Sequence, residues 1–205
     1  MIVKLICAGK NDLSSTYKYD DKEFIIAVDG GIKYVKERKL IANIAIGDFD
    51  SSRIDDYSSF YKEMLMFPKK KNESDLELAI KYVIDNLDFD RIEIYNASGK
   101  RLDHFISSIR LLVKYCNYPI FFIDKENKIF IVNKEAVINK NEYKYISFFS
   151  CHDNTIIDLK GFKYNLDSYC LNYDDSLCLS NEIKEQGIVK VSNKVITFFS
   201  HKKTH

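Results

Sequence analysis

Residues 44–52 read IAIGDFDSS, an apolar run that ends in two carboxylates, Asp48 and Asp50, and two hydroxyls. The apolar part is typical of a buried strand. Carboxylate oxygens are hard ligands that suit Mg²⁺, and Mg²⁺ in turn implies a substrate that carries phosphate. Asp and Ser also form ordinary turns by hydrogen-bonding their own backbone. The stretch alone therefore leaves a metal site and a simple turn both open.

A second apolar run ends in the same way. Residues 24–28 are of buried-strand type, and Asp29, Gly30 and Gly31 follow them directly. Apolar residues at helical spacing come next, so the pattern predicts a strand, a glycine turn and a helix. Glycines here would let the backbone approach a ligand closely. Asp29 could equally be part of a turn, so its role is left open.

Two predicted helices begin with charged residues. Residues 74–77 read SDLE and have the form of a capping box, which puts Asp75 in a first helical turn. Residues 91–95 read as a strand that breaks at residues 96–99, after which apolar residues again recur at helical spacing. The residues at the start of that helix are Arg101, Asp103 and His104.

Strands alternate with helices from residue 2 to about residue 124, which predicts a mostly parallel, Rossmann-like sheet with flanking helices. Ligands of such sheets bind beyond the carboxyl ends of the strands. The polar segments all map to that edge, so we expect one site with acidic side chains for a metal. Lys71 and Arg101 would bind phosphate oxygens. Lys71 also belongs to a lysine run that would ordinarily be solvated surface, and His104 could simply cap a helix.

The pattern changes beyond about residue 124. Short apolar or alternating runs are separated by Asn, Asp, Lys and Gly, and helical periodicity is absent. This predicts an all-β sandwich as a second domain. We therefore expect an α/β nucleotide-binding catalytic domain at residues 1–124 and a β-sandwich domain at residues 125–205.

Taken together, these motifs resemble those of the thiamine pyrophosphokinase family, over nearly the whole chain. Each motif is short, but their combination and order are specific. The matching residues are Asp29-Gly30-Gly31, Gly47-Asp48-Phe49-Asp50-Ser51, Lys71, Ser74-Asp75-Leu76-Glu77-Leu78-Ala79, Gly99, Arg101-Leu102-Asp103-His104 and Ser180-Asn181-Glu182.

The resemblance implies an enzyme that moves the pyrophosphoryl group of ATP to thiamine, giving thiamine diphosphate and AMP. It implies Mg²⁺ as cofactor and ATP as co-substrate. The second domain would bind thiamine and mediate dimerisation, and thiamine would lie near the subunit interface of a homodimer.

Each site residue receives an expected role. Asp48, Asp50, Asp75 and Asp103 are expected to be catalytic, as direct or water-mediated Mg²⁺ ligands. Asp75 or Asp103 could instead accept the alcohol proton, and the sequence does not choose between them. The ATP-binding residues would be Asp29, Gly30, Gly31, Lys71, Arg101 and His104. The thiamine-binding residues would be Ser180 and Asn181.

The sequence departs from the family pattern at three of these motifs. The residues just before Ser180, which are Cys178 and Leu179, lack the glycine often found there. Ser74 stands where the family has threonine, and it keeps the hydroxyl and the capping role. Lys100 stands where the family usually has a second glycine. Its β-carbon restricts the loop, while its ammonium adds a possible phosphate contact.

Composition excludes several classes of protein. A net charge of +1 argues against a nucleic-acid-coating protein, and no apolar stretch approaches membrane-spanning length. The 5 cysteines are an odd number without a Cys-x-x-Cys pair, which favours reduced thiols. We therefore expect a cytoplasmic protein that uses neither nucleic acid nor membrane as a partner.

Two other functions remain open at this stage. A haloacid-dehalogenase-like phosphatase also carries Asp-x-Asp after a strand, with Asp48 as a covalent nucleophile. That alternative leaves Asp75 and Asp103 without their proper partners. The other is a non-enzymatic nucleotide- or thiamine-binding protein, which would gain little from four acidic groups beside a polyanion without metal.

Overall fold

The computed structural model describes residues 1–49, 54–68 and 72–202. The chain divides into two compact units. The first comprises Met1–Leu111 and Phe121–Asp124, and the second comprises Leu112–Ile120 and Lys125–His205. The predicted fold class, a mostly parallel α/β sheet followed by antiparallel β structure, is confirmed.

The first unit is built on a sheet with the strand order β4-β3-β2-β1-β5-β6. Neighbours from β4 to β5 pair in parallel. Its strands are β1 (Ile2–Ile6), β2 (Glu23–Val28), β3 (Ala42–Gly47), β4 (Tyr61–Met66), β5 (Arg91–Tyr95) and β6 (Ile120–Ile123). The helices are α1 (Leu13–Thr16), α2 (Ile32–Glu37), α3 (Asp75–Asn86) and α4 (Leu102–Lys114).

Helix α3 forms where the capping box predicts it. The Glu77 backbone N–H donates a hydrogen bond to Ser74 Oγ at 3.2 Å, which satisfies one of the unpaired donors at the helix start. Behind the cap, the helix buries an apolar stripe against the sheet. That stripe consists of Leu76, Ala79, Ile80 and Val83. The cap and the stripe together fix where Asp75 lies.

A buried ion pair lies on one face of β1 and β2. The Lys4 ammonium is 2.6 Å from Glu23 Oε2, and the two side chains are 1% and 7% exposed. Lys4 also donates to the Lys18 carbonyl and lies 4.2 Å from the centre of the Tyr17 ring. The Tyr17 hydroxyl donates to Glu23, and the Asp20 backbone N–H donates to Glu23 Oε2 at 3.0 Å. Every charged group of this cluster therefore has hydrogen-bonded partners.

The second unit is a sandwich of two antiparallel sheets. One sheet contains β7, β13 and β9 in that order, and the other has the order β11-β10-β12-β8. The strands are β7 (Asn127–Val132), β8 (Glu135–Asn139), β9 (Tyr143–Ser150), β10 (Thr155–Phe162), β11 (Leu166–Leu171), β12 (Ile183–Val191) and β13 (Val195–Lys202). Phe148 and Phe162, from opposite sheets, meet edge to face with ring centroids 5.9 Å apart. One apolar core therefore joins both sheets.

Within residues 1–49, 54–68 and 72–202, no helix has the length and apolar character needed to cross a membrane.

Candidate active site

The loop that follows β2 packs directly on the ends of β1 and β3 at the carboxyl edge of the sheet. A β-carbon built on Gly31 would lie 1.9 Å from the Ile6 carbonyl oxygen. One built on Gly47 would lie 2.9 Å from Asp29 Cα. Neither position has room for a side chain, so these glycines are required by close backbone approach. The contacts bring Asp29, at the end of β2, beside the end of β3, which Asp48 follows.

Three strand ends at this edge carry a residue in the left-handed region of backbone space. Asp29, Phe49 and Asn96 have φ values of 47°, 50° and 55°. Non-glycine residues adopt this conformation rarely, and such positions concentrate at functional sites. The surrounding packing holds them there, because Phe49 and Asn96 are buried.

The loops that follow β1 and β5 are held together by hydrogen bonds. The backbone N–H groups of Gly9 and Lys10 donate to the carbonyls of Asn96 and Ser98 at 2.8 and 2.7 Å. Asn96 Oδ1 accepts the N–H of Asp12 at 3.1 Å. With the contacts described above, the loops after β1, β2 and β5 and the end of β3 form one continuous rim.

The thiol of Cys7, at the end of β1, is buried, and its pKa responds to the charge of Asp29. Cys7 follows β1, and burial raises the pKa of its thiol to about 12, with a smaller contribution from the negative charge of Asp29. The thiol is therefore protonated and inert at neutral pH. It also interacts electrostatically with the Asp29 carboxylate.

Two of the four expected metal-binding aspartates lie at the ends of elements of the first unit. Asp48 directly follows β3, and Asp75 is the first residue of α3. Both are half-buried. Helix α3 packs on β1, β2 and β3, so Asp75 begins an element that contacts the strands whose ends form the rim. The N-terminal position of Asp75 suits a negative charge, because it complements the helix dipole.

Asp103 lies in the first turn of α4 and is paired with Arg101. Arg101 Nη2 is 2.5 Å from Asp103 Oδ2, and both side chains are largely exposed. The hydrogen bond from Arg101 lowers the pKa of the Asp103 carboxyl below its usual value. The same bond raises the pKa of Arg101. His104 is exposed, and its carbonyl accepts a hydrogen bond from Ser108 Oγ at 2.8 Å.

A complete metal cage is not formed by the side chains in residues 1–49, 54–68 and 72–202. Among them, no three His, Cys, Asp or Glu residues lie close enough together to hold a metal ion. Asp50 and Lys71, which the sequence also assigns to the site, fall outside these ranges. Asp48, Asp75 and Asp103 supply the right oxygen chemistry for Mg²⁺.

The two expected thiamine-binding residues lie in the second unit, just before β12. Ser180 is exposed and has a φ of 57°. Asn181 is buried, and its side chain is fully engaged inside the protein. Its amide nitrogen donates to the Tyr164 carbonyl at 2.7 Å, and its oxygen accepts the N–H groups of Tyr164 and Glu182 at 3.1 and 2.9 Å. Asn181 thus ties its own segment to the backbone of Tyr164.

Two residues that help to order the rim were not among the sequence-based site residues. Asn96 makes the bonds described above, and Tyr34 on α2 donates from its hydroxyl to the Gly9 carbonyl at 2.9 Å. The signal for Asn96 was present, since asparagine after a strand is a common left-handed residue. Nothing in the sequence pairs Tyr34 with Gly9.

Two family models match separate parts of the chain. Residues 16–122 match the model "Thiamin pyrophosphokinase, catalytic domain", and residues 134–196 match "Thiamin pyrophosphokinase, vitamin B1 binding domain". The chain belongs to the thiamin pyrophosphokinase family. The resemblance seen in the sequence is thereby confirmed. Every expected metal- or ATP-binding residue falls in the first match, and Ser180 and Asn181 fall in the second.

Individual members of the thiamin pyrophosphokinase family are similar along nearly their whole length. The thiamine pyrophosphokinase of Bacillus subtilis is 32% identical over 191 residues, which cover 88% of this chain and 89% of that protein. Its crystal structure superimposes with a TM-score of 0.87 and covers 98% and 99% of the two chains at 30% identity. The Geobacillus thermodenitrificans structure gives a TM-score of 0.86 at 25% identity, with coverage of 100% and 99%.

Proposed function

We propose that this chain transfers the pyrophosphoryl group of ATP to the hydroxyethyl oxygen of thiamine, giving thiamine diphosphate and AMP. The observation that supports this most directly is the continuous rim, where Asp29, the strand end before Asp48 and the loop before Arg101 belong to one sheet edge. Its position, at the carboxyl ends of parallel strands, is where α/β proteins bind phosphate-bearing ligands. Family membership supplies the identity of the substrates.

The reaction needs positioning more than covalent assistance. The thiamine oxygen attacks the β-phosphorus, the bond from that phosphorus to the oxygen bridging to the α-phosphorus breaks, and AMP departs with the bridging oxygen. The hydroxyl proton passes to a carboxylate or to water. Asp75 and Asp103 are the two carboxylates proposed for this step, while Arg101 and Lys71 hold phosphate oxygens.

Mg²⁺ is the proposed cofactor, and Asp48, Asp50, Asp75 and Asp103 would hold it directly or through water. Their hard oxygen donors fit this ion better than a softer one. Bound there, Mg²⁺ would withdraw charge from the phosphate chain and stabilise departing AMP. Asp29, Gly30 and Gly31, with His104, would complete the nucleotide site.

For thiamine, we propose different roles for two adjacent residues of the second unit. Ser180 is exposed and would contact thiamine. The Asn181 amide makes its hydrogen bonds inside the protein, so Asn181 would position Ser180 instead of binding thiamine. The protein would work as a cytoplasmic homodimer with thiamine near the subunit interface. Sedimentation of the purified protein tests the dimer.

The decisive assay incubates purified protein with thiamine, ATP and Mg²⁺ and separates the products. Equal amounts of AMP and thiamine diphosphate support the proposal. ADP with thiamine monophosphate would mean single phosphoryl transfer instead. Free phosphate together with a phosphoaspartate trapped on Asp48 would favour the phosphatase alternative.

A variant of the first α3 turn tests the site itself. Asp75→Asn should abolish transfer and lower the free energy of unfolding by at most about 1 kcal/mol, because it keeps the size of the side chain and removes only a charge that interacts with the helix dipole. Asp85→Asn, near the exposed end of the same helix, is the matched control and should retain activity. Normal turnover by a folded Asp75→Asn protein would remove that residue from the mechanism.

A further inference from the structure

Two lysines lie on the loops after β1 and β5, which backbone hydrogen bonds hold together. Lys10 follows β1 and Lys100 follows β5, and the two loops meet at the Lys10 backbone, whose N–H donates to the Ser98 carbonyl at 2.7 Å. A β-carbon built on Gly99 would lie 3.3 Å from the Lys10 nitrogen. Residues far apart in sequence are therefore brought next to each other by backbone contacts, without reliance on flexible side chains.

The loop positions are fixed independently of the lysine side chains. Asn96, buried and left-handed, accepts the Asp12 N–H and so anchors the far end of the first loop. Tyr34 anchors the middle of that loop through the Gly9 carbonyl. A substitution that shortens or neutralises Lys10 or Lys100 should therefore leave the backbone in place.

The lysine ammonium groups are available to a ligand. The Lys10 side chain is 67% exposed, and its ammonium is 3.8 Å from Asp12, which is a loose pair. Lys100 is exposed, and no ion pair of Lys100 is found within residues 1–49, 54–68 and 72–202. Arg101 is next to Lys100 and is already paired with Asp103. The two loops thus present positive charge that the protein itself neutralises only in part.

We propose that Lys10 and Lys100 bind the terminal phosphates of the nucleoside triphosphate. This rests on the proposed function, and it adds two residues to the ATP-binding set. The neighbouring loop supports it, since a β-carbon on Gly30 would lie 3.2 Å from the Ala8 β-carbon, so the lysine-bearing loop borders the Asp29 turn. Ammonium groups bind phosphate as point charges and tolerate loose geometry.

The test measures nucleotide binding by calorimetry without metal, using ATP and AMP as separate probes. The variants are Lys10→Gln, Lys100→Gln and their combination, with Lys→Arg at each position as rescue. Lys190→Gln is the control, because Lys190 is similarly exposed and loosely paired but lies in the second unit. Each Gln variant should weaken ATP binding about fivefold, which corresponds to one exposed charge interaction. AMP binding should stay within about twofold, since AMP lacks the terminal phosphates.

The same variants are then assayed for thiamine diphosphate formation. The KM for ATP should rise while the KM for thiamine stays constant. Added salt should reduce the difference in the KM for ATP between each variant and the wild-type protein, because salt screens exposed charges. Equal weakening of ATP and AMP, or no weakening of either, overturns the proposal. A wild-type protein that binds ATP through these lysines yet forms no thiamine diphosphate would refute the proposed function alone.

Discussion

The buried pair of Lys4 and Glu23 allows a quantitative test of what stabilises the first unit. Glu23→Gln preserves the size of the side chain but removes the charge that faces the Lys4 ammonium at 2.6 Å. Lys4 is 1% exposed, so water cannot replace the lost carboxylate. Removing one partner of a buried pair leaves an uncompensated charge, at a cost of about 3–5 kcal/mol.

The hydrogen bonds of the cluster also restrict how a glutamine can be accommodated. Glu23 also accepts hydrogen bonds from the Tyr17 hydroxyl at Oε1 and from the Asp20 N–H at Oε2. The glutamine must therefore keep its carbonyl oxygen toward Lys4 and Asp20, and the Tyr17 hydroxyl must turn to accept from the amide NH₂. The Lys4 ammonium would keep the glutamine oxygen, the Lys18 carbonyl and the Tyr17 ring as partners, but none of them carries a full negative charge. A cation–π contact contributes about 0.5–2 kcal/mol, too little to offset the lost charge.

The assay is urea unfolding at pH 7 followed by far-ultraviolet circular dichroism. With an m-value of about 2 kcal/mol/M, the midpoint of the first unit should fall by about 2 M. Glu135→Gln is the control, because its pair with Lys190 is exposed and should contribute at most about 1 kcal/mol. Equal midpoints for the two variants would refute the argument, since burial would then have no effect on the strength of the pair.

Three further predictions concern single positions. Gly31→Ala should lower the free energy of unfolding by about 3 kcal/mol or more, because its β-carbon would meet backbone 1.9 Å away; an unchanged urea midpoint contradicts this. Arg101→Gln should raise the pKa of Asp103 back toward its usual value in an NMR titration. Because that pKa is depressed in the folded state, the stabilisation by this pair exists above the unfolded pKa and is lost as the pH falls through the folded one. Exposed Cys170 should react first with a thiol reagent at pH 8, whereas Cys178, whose pKa burial raises to about 11, should react only on unfolding; rapid labelling of both would disprove the packing.

The elements with a clear apolar period were predictable. The strand at 91–95 and the capped helix at Asp75 are found as expected. Strand β4 was not predicted, because its sequence YKEMLM neither alternates cleanly nor forms a buried run, and its side chains are mostly exposed at the sheet edge. Strands β8 and β11 were missed for a similar reason, since each buries only a single residue fully.

The places of the proposed site residues at strand ends were predictable from the sequence. Their hydrogen-bond partners were less predictable. The strand-end positions of Asp29 and Asp48 follow from the apolar runs that precede them. The three internal hydrogen bonds of Asn181 could not be foreseen, because two of them involve Tyr164, which is distant in sequence. Likewise, Lys4 interrupts an apolar strand, and only the fold reveals Glu23 as its partner.

The shared backbone contacts of the rim have a consequence for motion. The loops after β1, β2 and β5 do not swing outward separately, because Gly31 packs against the Ile6 carbonyl and the carbonyls of Asn96 and Ser98 accept hydrogen bonds from the first loop. Local opening must therefore be a collective event, with a free energy set by several contacts together. A nucleotide that touches only one loop would slow amide exchange in all of them, so the rim acts as a single thermodynamic element.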